Sequence, residues 1–286
     1  MFKVVRLLSL SIAVALLVGG CFFNKKHKPT PAVQILNQDT NVSKKALIVG
    51  VGNYIKDSRD LSGINLDVQN MRKLFKSWGF EVEVLQKPLE FEQKLTSYNS
   101  LTKDDVFILY YTGHGSYAKD YSGDENDERD EIIVLSDGEK NLFVLDDKID
   151  HYLDNIKARK LIIFDSCNSG TSTRAFNHTK TKEKYIPAPP FVSDKYLPSN
   201  FLTAKNPNAG PSLFFAACKD NEQALSSADG SLFTSTFISK VNINQSASWI
   251  HQQTLQVLKK RFHPMLSASK ENLKDLKLRD YLKLVN

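Results

Sequence analysis

His114 and Cys167 are the two residues of this 286-residue sequence whose types best suit covalent catalysis. A cysteine attacks a peptide carbonyl as the thiolate, and a nearby imidazole can accept the thiol proton and later donate it to the leaving amine. The backbone N–H groups of Gly115 and Cys167 are the candidate donors to the oxyanion that forms. Taken singly, His114 could be a structural histidine and Cys167 a buried small side chain. The prediction of a cysteine-dependent hydrolase therefore depends on the two residues meeting.

Both residues follow directly after apolar runs of strand length. Such runs predict buried strands at 46–51, 105–111, 161–164 and 212–218, and residues 81–85 alternate as a further strand. Helical spacing predicts helices at 68–78, with Gly79 as C-cap, and at 91–98, 145–156, 232–238 and 246–262. The fold class is therefore α/β, with a mostly parallel central sheet and helices on both faces. Because ligands bind beyond the carboxyl ends of such strands, we expect His114 and Cys167 on one rim.

A series of short motifs makes the prediction more specific. They are Leu61–Asp67, Tyr111-Thr112-Gly113-His114-Gly115, the acidic stretch 123–133, Asp165-Ser166-Cys167-Asn168-Ser169-Gly170 and Ala216–Ala224. Between about Lys45 and about Lys240, this series resembles the metacaspases of bacteria, plants and protists. The resemblance implies a caspase-like fold and a cysteine endopeptidase with His114 and Cys167 as its catalytic pair. Two positions depart from the pattern: Asn168 stands where most members have His, and Leu66 replaces an Asn.

The resemblance also implies a preference for cleavage after Arg or Lys. Metacaspases receive the basic side chain in a pocket lined by carboxylates, and the matching positions here are Asp67 and Asp165. A carboxylate beside the nucleophile can pair with a guanidinium through two hydrogen bonds. The alternative is that Asp165 caps a turn and Asp67 is a solvated residue at a helix start.

Calcium is the candidate metal. The acidic run at 124–130 is rich in carboxylates, which suit calcium, although such a run can equally be a solvated loop. By resemblance to calcium-activated metacaspases, the candidate ligands are Asp130, Asp146 and Asp147. A further acidic ligand of the family falls near Arg174 in this sequence, and no EF-hand spacing is present.

The N-terminus has the pattern of an export signal. Lys3 and Arg6 precede an apolar run at 7–18, and Gly19-Gly20 lead to Cys21. Residues 17–21 resemble a bacterial lipobox, which predicts a lipoprotein signal peptide at 1–20 and lipidation of Cys21. An ordinary signal peptide is the alternative. Residues 21–43, rich in Lys and Pro, then form a tether, and the protein is expected to be an exported bacterial lipoprotein held on a membrane.

Charge and cysteine content exclude other classes. The formal net charge is +6, but the acidic cluster at 120–137 would repel phosphates, so we expect no nucleic-acid partner. Three cysteines, Cys21, Cys167 and Cys218, are too few and too scattered for a disulfide framework or a zinc site. Cys218 is assigned to the core.

The predicted catalytic domain spans 44–245, followed by a C-terminal helical extension at 246–286. Residues 171–210 lack apolar periodicity and are expected to form a mobile loop. Its basic residues would be self-cleavage sites for an enzyme of this specificity: Arg174, Lys180, Lys182, Lys184 and Lys195. Metacaspases generally act as monomers, so the resemblance implies a monomer here.

Two other functions stay open at this point. The chain could be a catalytically weak or inactive caspase-fold module that binds partners at a membrane surface, a reading that Asn168 keeps open. It could also be a cysteine peptidase of another caspase-like lineage, which Asp67 and Asp165 disfavour. The favoured partners are peptides or proteins with a basic residue at the cleavage point.

Overall fold

A six-stranded sheet is the centre of the computed structural model, which describes residues 42–56, 59–119, 129–167, 181–189, 192, 208–219 and 222–284. Its strands are β1 (Lys44–Gly50), β2 (Glu81–Val84), β3 (Val106–Thr112), β7 (Arg159–Asp165), β9 (Ser212–Ala216) and β12 (Met265–Ala268). The other strands are β4 (Gly115–Lys119), β5 (Arg129–Ser136), β6 (Asn141–Leu145), β8 (Thr181–Glu183), β10 (Leu225–Ser227) and β11 (Gly230–Ser231). The α-helices are α1 (Ile64–Ser77), α2 (Phe91–Ser97), α3 (Asp146–Asp154), α4 (Leu232–Lys240), α5 (Ala247–Leu258) and α6 (Leu278–Tyr281).

The central sheet has the order β12-β9-β7-β3-β1-β2, and β12 is its only antiparallel member. Every residue of β3 is buried, as expected for a central parallel strand covered on both faces. Gly50 pairs with Thr112, and Thr112 pairs with Asp165, so β1, β3 and β7 end at one rim. The predicted α/β fold with a mostly parallel sheet is confirmed.

Helices cover both faces of the sheet because successive strand residues point to opposite sides. Leu47, Phe107 and Leu109 belong to one core, together with residues of α2 and α3. Ala46 and Ile108 belong to the other, together with residues of α1, α4 and α5. The two apolar cores hold the sheet rigid beneath the rim.

The start of α1 packs closely against the turn between β10 and β11. A Cβ atom on Gly63 would lie 2.0 Å from the carbonyl oxygen of Ser227, so only glycine fits there. Gly230 has φ 98°, and a Cβ atom on it would lie 2.8 Å from Oδ1 of Asp67. This close approach brings Asp67 of α1 against Ser231.

Two small sheets lie beside the rim, and the sequence patterns predicted neither. The sheet β4-β5-β6 is antiparallel, and β4 is one of its edges. The second has the order β11-β10-β8. The expectation of a mobile loop across 171–210 is wrong for part of that range, because β8 pairs with β10 and Lys184 is completely buried.

The described part of the predicted helical extension, residues 246–284, contains more than helices. After α5 the chain returns to the central sheet, where β12 pairs antiparallel with β9. Leu278, Tyr281 and Leu282 are then buried in the core shared with α4 and α5. This stretch is therefore part of the folded domain and is not an extension added after it.

Candidate active site

His114 lies between β3 and β4, and its ring is held by the loop after β1. Its Nε2 lies 2.6 Å from the backbone carbonyl oxygen of Arg59. Because a carbonyl can only accept, Nε2 carries the proton and Nδ1 is left with a free lone pair. The ring of Tyr54 packs edge-on against the imidazole at 4.5 Å. Nδ1 is buried without a hydrogen-bond partner, which makes it the atom available to accept a proton.

Burial also sets the charge of His114. The side chain is 2% exposed, and removal from water lowers the pKa of His114 to about 4, although the carbonyl of Arg59 opposes this. The imidazole is therefore neutral at pH 7. A neutral imidazole with an unpaired Nδ1 is in the form that a general base requires.

Cys167 follows two residues after β7 and is fully buried. Its Sγ makes hydrogen bonds with the backbone of Ala224, donating to the carbonyl oxygen at 3.2 Å and accepting from the N–H. Cys218 lies in the same core, as expected from the sequence, and its Sγ lies 3.6 Å from the carbonyl oxygen of Ser166. A hydrogen bond with Cys167, together with burial, raises the pKa of Cys218 well above its usual value. In this structure the Cys167 thiol is thus turned toward β10.

The N–H groups of Gly115 and Cys167 converge on one acceptor, the carbonyl oxygen of Lys184. The N–H of Gly115 donates to it over 2.8 Å and the N–H of Cys167 over 3.3 Å. Because Gly115 is adjacent to His114 in the chain, this carbonyl lies between the two candidate catalytic residues. Two such donors on one carbonyl oxygen have the geometry of an oxyanion hole.

The side chain of Lys184 enters a closed pocket at the rim. Its Nζ lies 2.9 Å from Oδ1 of Asp165, and both side chains are completely buried. Nζ also donates to Oγ1 of Thr112 at 2.8 Å and to the carbonyl oxygen of Asp165 at 2.9 Å. The other carboxylate oxygen of Asp165 accepts from the N–H and the hydroxyl of Thr234, at 3.2 and 2.6 Å. Asp165 is therefore the direct partner of the ammonium group.

Asp67 lies beside the same pocket but is held by other partners. One carboxylate oxygen accepts from the N–H of Ser231 at 2.9 Å, and the other accepts from the Ser231 hydroxyl and from Oγ1 of Thr112 at 3.4 Å. Burial raises the pKa of Asp67, and the positive charge of Lys184 opposes that rise. The structure thus brings Asp67 and Asp165 together around the side chain of Lys184.

The segment that carries Lys184 runs through the site as an extended strand. Residues 181–183 pair antiparallel with β10, and the N–H of Lys184 donates to the carbonyl oxygen of Ala224 at 3.1 Å. Lys182 reaches the carbonyl oxygen of Asp60 through its Nζ at 2.8 Å. An extended peptide that adds to a strand edge and places one side chain in a pocket is a recurring mode of peptide recognition.

The candidate metal ligands belong to β5 and α3, which contribute no side chain to the Lys184 contacts described above. Asp130 is in β5, Asp146 and Asp147 form the first turn of α3, and all three are largely buried. Among the residues described, no group of three or more His, Cys, Asp or Glu is placed to hold a metal ion. The acidic residues at 124–128 lie outside the described residues, so the structure assigns no calcium geometry to this region.

Several other predictions fall on residues outside the described ranges. These are the signal peptide, Cys21 and most of the tether, as well as Asn168 and Arg174. Leu66 lies on α1 and is 39% exposed. Leu in place of the family's Asn is therefore a change at the surface, and it leaves no polar group buried. Each helix in the described part of the chain is too short or too polar to span a bilayer.

The mostly parallel sheet, with His114 and Cys167 after two neighbouring strands, is the arrangement of a caspase-like domain. The family model for the caspase domain matches residues 43–276, so the chain belongs to that family of cysteine peptidases. A protein structure from Geobacter sulfurreducens is similar in fold, with a TM-score of 0.64 and 19% identity. That similarity covers 82% of this chain and 97% of the other.

The relatives that the chain resembles in sequence are metacaspases. It is 32% identical to Metacaspase-3 of Arabidopsis thaliana in an alignment of length 146, which covers 45% of this chain and 40% of that protein. It is 29% identical to Metacaspase-1 of Eremothecium gossypii in an alignment of length 148, which covers 46% of this chain and 32% of that protein. The matched region is therefore less than half the length of these relatives.

Proposed function

We propose that this chain is an endopeptidase that cleaves after Lys or Arg, with His114 and Cys167 as its catalytic pair. The observation that carries the proposal is the position of Lys184. Its carbonyl oxygen lies between the N–H groups of Gly115 and Cys167, and its ammonium group pairs with Asp165. A substrate residue before the scissile bond needs both contacts at once, so Lys184 occupies the place proposed for that residue.

The chemical steps follow from the atoms around the Lys184 carbonyl. Sγ of Cys167 first turns away from Ala224 and transfers its proton to Nδ1 of His114. The thiolate attacks the carbonyl carbon, and the N–H groups of Gly115 and Cys167 stabilise the oxyanion. The C–N bond then breaks as Nδ1–H protonates the leaving amine. Water, activated by the neutral His114, hydrolyses the thioester and restores the thiol.

Two carboxylates give the pocket its preference for a cation. Asp165 contacts the ammonium group directly, and its second oxygen is fixed by Thr234. Asp67 adds a second negative charge, held by Ser231. A buried pocket of this charge disfavours an acidic or neutral residue, because the carboxylates would then be buried without a counter-charge. Arg fits the same chemistry, since its guanidinium can bond a carboxylate at two points.

Calcium activation and membrane attachment remain predictions from the sequence. Asp130, Asp146 and Asp147 are the residues that would hold calcium, and no step above passes through the metal. Lipidation of Cys21 would place the catalytic domain on the surface of a membrane. Both extend the proposed peptidase without affecting its chemistry.

Hydrolysis of fluorogenic peptides that end in Arg, Lys, Asp or Asn tests the proposal. The purified chain is assayed with calcium and with a chelator, beside Cys167→Ala and Lys184→Gln, which removes the ammonium group from the pocket. We expect turnover of the Arg and Lys reporters, none of the others, and none by Cys167→Ala. Turnover that survives Cys167→Ala would overturn the nucleophile. The absence of turnover with every reporter, for Lys184→Gln as well, would favour the binding module.

A further inference from the structure

We propose that the site selects an aromatic residue immediately after the scissile bond, by stacking it on Tyr117 while the substrate pairs with β4. This inference rests on the proposed peptidase function and extends it to the side of the substrate that leaves first. The residue in that position here is Tyr185.

The backbone after Lys184 is held as a short parallel strand on the edge of β4. The N–H of Gly115 donates to the carbonyl oxygen of Lys184 at 2.8 Å, and the N–H of Ile186 donates to the carbonyl oxygen of Gly115 at 3.0 Å. Gly115 and Tyr185 therefore form a parallel bridge. The N–H of Gly115, one of the two proposed oxyanion donors, thus makes the first hydrogen bond between this segment and β4. The same group therefore also aligns the segment that leaves after cleavage.

This register dictates where the Tyr185 side chain points. Paired residues of neighbouring strands project to the same face, and residues two apart on one strand share a face. Gly115 pairs with Tyr185, so Tyr117 is the first side chain of β4 on the face that Tyr185 occupies. The rings of Tyr117 and Tyr185 are stacked, with centroids 6.0 Å apart and an interplanar angle of 23°.

Charged and apolar neighbours complete the subsite. The guanidinium of Arg129, on β5, lies 4.5 Å from the centroid of the Tyr117 ring, so a cation stacks on it. Nη1 of Arg59 donates to the carbonyl oxygen of Tyr185 at 3.4 Å. Ile186 is 7% exposed and belongs to the apolar core that includes Ile132 and Ile133 of β5. The preferred sequence is thus a basic residue, an aromatic residue and an aliphatic residue, with cleavage after the first.

Internally quenched peptides with the sequence Thr-Gln-Glu-Lys-X-Ile, in which Gln stands in place of Lys182 so that one basic residue remains, test the subsite in the full chain. X is Tyr, Phe, Leu or Ala, and kcat/KM is measured for each peptide. Aromatic pairs contribute about 0.5–1.5 kcal/mol, which corresponds to about a 2- to 12-fold preference for Tyr and Phe over Ala. The Tyr/Ala ratio is then measured within each variant, so that differences in the active fraction cancel.

We expect Tyr117→Ala to bring the Tyr/Ala ratio close to one and Tyr117→Phe to preserve it. Equal rates for all four peptides in the wild type would overturn the subsite, as would an unchanged ratio in Tyr117→Ala. A reporter that ends in a fluorophore directly after Arg distinguishes failure of the subsite from failure of the proposed peptidase function. If the wild type cleaves it without selecting among the four peptides, the subsite fails and the peptidase stands. If it cleaves neither reporter nor peptides, both fail.

Discussion

The Nζ of Lys184 lies 2.9 Å from Oδ1 of Asp165, and neither side chain is accessible to solvent. A buried ion pair loses the hydration of both charges, so it persists only where further hydrogen bonds satisfy the two groups. Here Oγ1 of Thr112 and the carbonyl oxygen of Asp165 accept hydrogen bonds from the ammonium group, and the hydroxyl of Thr234 donates one to the carboxylate. Lys184, which comes from a polar segment, is therefore held in a buried site whose groups suit a cation.

Substitution of Lys184 should control cleavage of the chain by itself. If the proposed function is right, the bond between Lys184 and Tyr185 is the bound substrate, and Lys184→Gln removes the charge that holds it. We expect the purified wild type, incubated with calcium, to give a fragment that begins at Tyr185, and Lys184→Gln to give none. Intact-mass spectrometry detects the fragments.

Two variants control this experiment. Lys184→Arg keeps the cation and should still be cleaved. Lys182 is exposed, and its Nζ reaches the carbonyl oxygen of Asp60 and not Asp165, so Lys182→Gln should leave cleavage at Lys184 unchanged. Equal cleavage after position 184 in Lys184→Gln would contradict the role of the pocket.

The two carboxylates of the pocket should contribute unequally to specificity. Asp165→Asn removes the direct partner of the basic side chain, and loss of one member of a buried ion pair costs about 3–5 kcal/mol. We expect kcat/KM for a Lys reporter to fall about 100-fold or more. Asp67 has no direct contact with the ammonium group, so Asp67→Asn should cause a smaller loss.

Steady-state kinetics with one Lys and one Arg reporter measure both effects. Asp229, exposed in the turn between β10 and β11, supplies the matched control Asp229→Asn, which should leave both rates unchanged. A greater loss in Asp67→Asn than in Asp165→Asn would show that the two carboxylates have been assigned in the wrong order.

Thr234 should stabilise the fold through Asp165. Its hydroxyl donates to Asp165 at 2.6 Å and lies 2.6 Å from the hydroxyl of Tyr110. Thr234→Val keeps the shape of the side chain but leaves a buried carboxylate oxygen with one donor fewer, which costs about 1–3 kcal/mol. Urea denaturation measures the loss. Thr254, whose hydroxyl bonds a carbonyl one turn earlier in α5, supplies the control Thr254→Val, for which we expect a smaller loss.

The sequence predicts the central sheet well because its signals are local. All seven residues of β3 are apolar or uncharged, and the run ends at the residue before Gly113, so both the strand and the rim that carries His114 can be inferred. The rim position of Cys167 follows in the same way from β7. Parallel topology then brings the two ends together without any knowledge of side-chain contacts.

Elements that depend on a distant partner could not be predicted in this way. β4 begins at a glycine and shows no clear alternation, and β8 is three residues long and polar. The sequence also could not predict that Lys184 is the residue in the pocket. Lys180, Lys182 and Lys184 alternate along one segment, and no local feature of the lysines distinguishes one from another. The one available signal was the pair that follows Lys184, the aromatic Tyr185 and the aliphatic Ile186, because large apolar side chains are uncommon in a solvated loop.

Acidification should destabilise the folded chain through His114. Its pKa is about 4 in the folded chain and about 6.5 in an unfolded one, so between these values the unfolded state binds more protons. Stability conferred by the neutral imidazole is thus fully present above pH 6.5, falls as the pH drops toward 4, and changes little below that. The loss approaches about 3 kcal/mol, at about 1.4 kcal/mol per pH unit.

Urea midpoints of the wild type and of His114→Gln, measured from pH 7.5 to 4, isolate this contribution, since carboxylates titrate in both proteins. The free energy of unfolding of the wild type should fall more steeply than that of His114→Gln between pH 6.5 and 4, and the two curves should run parallel above pH 7. Parallel curves across the whole range would mean that His114 gains a proton as easily in the folded chain as in water. The imidazole would then be solvated, and a buried Nδ1 could not be the base that activates Cys167.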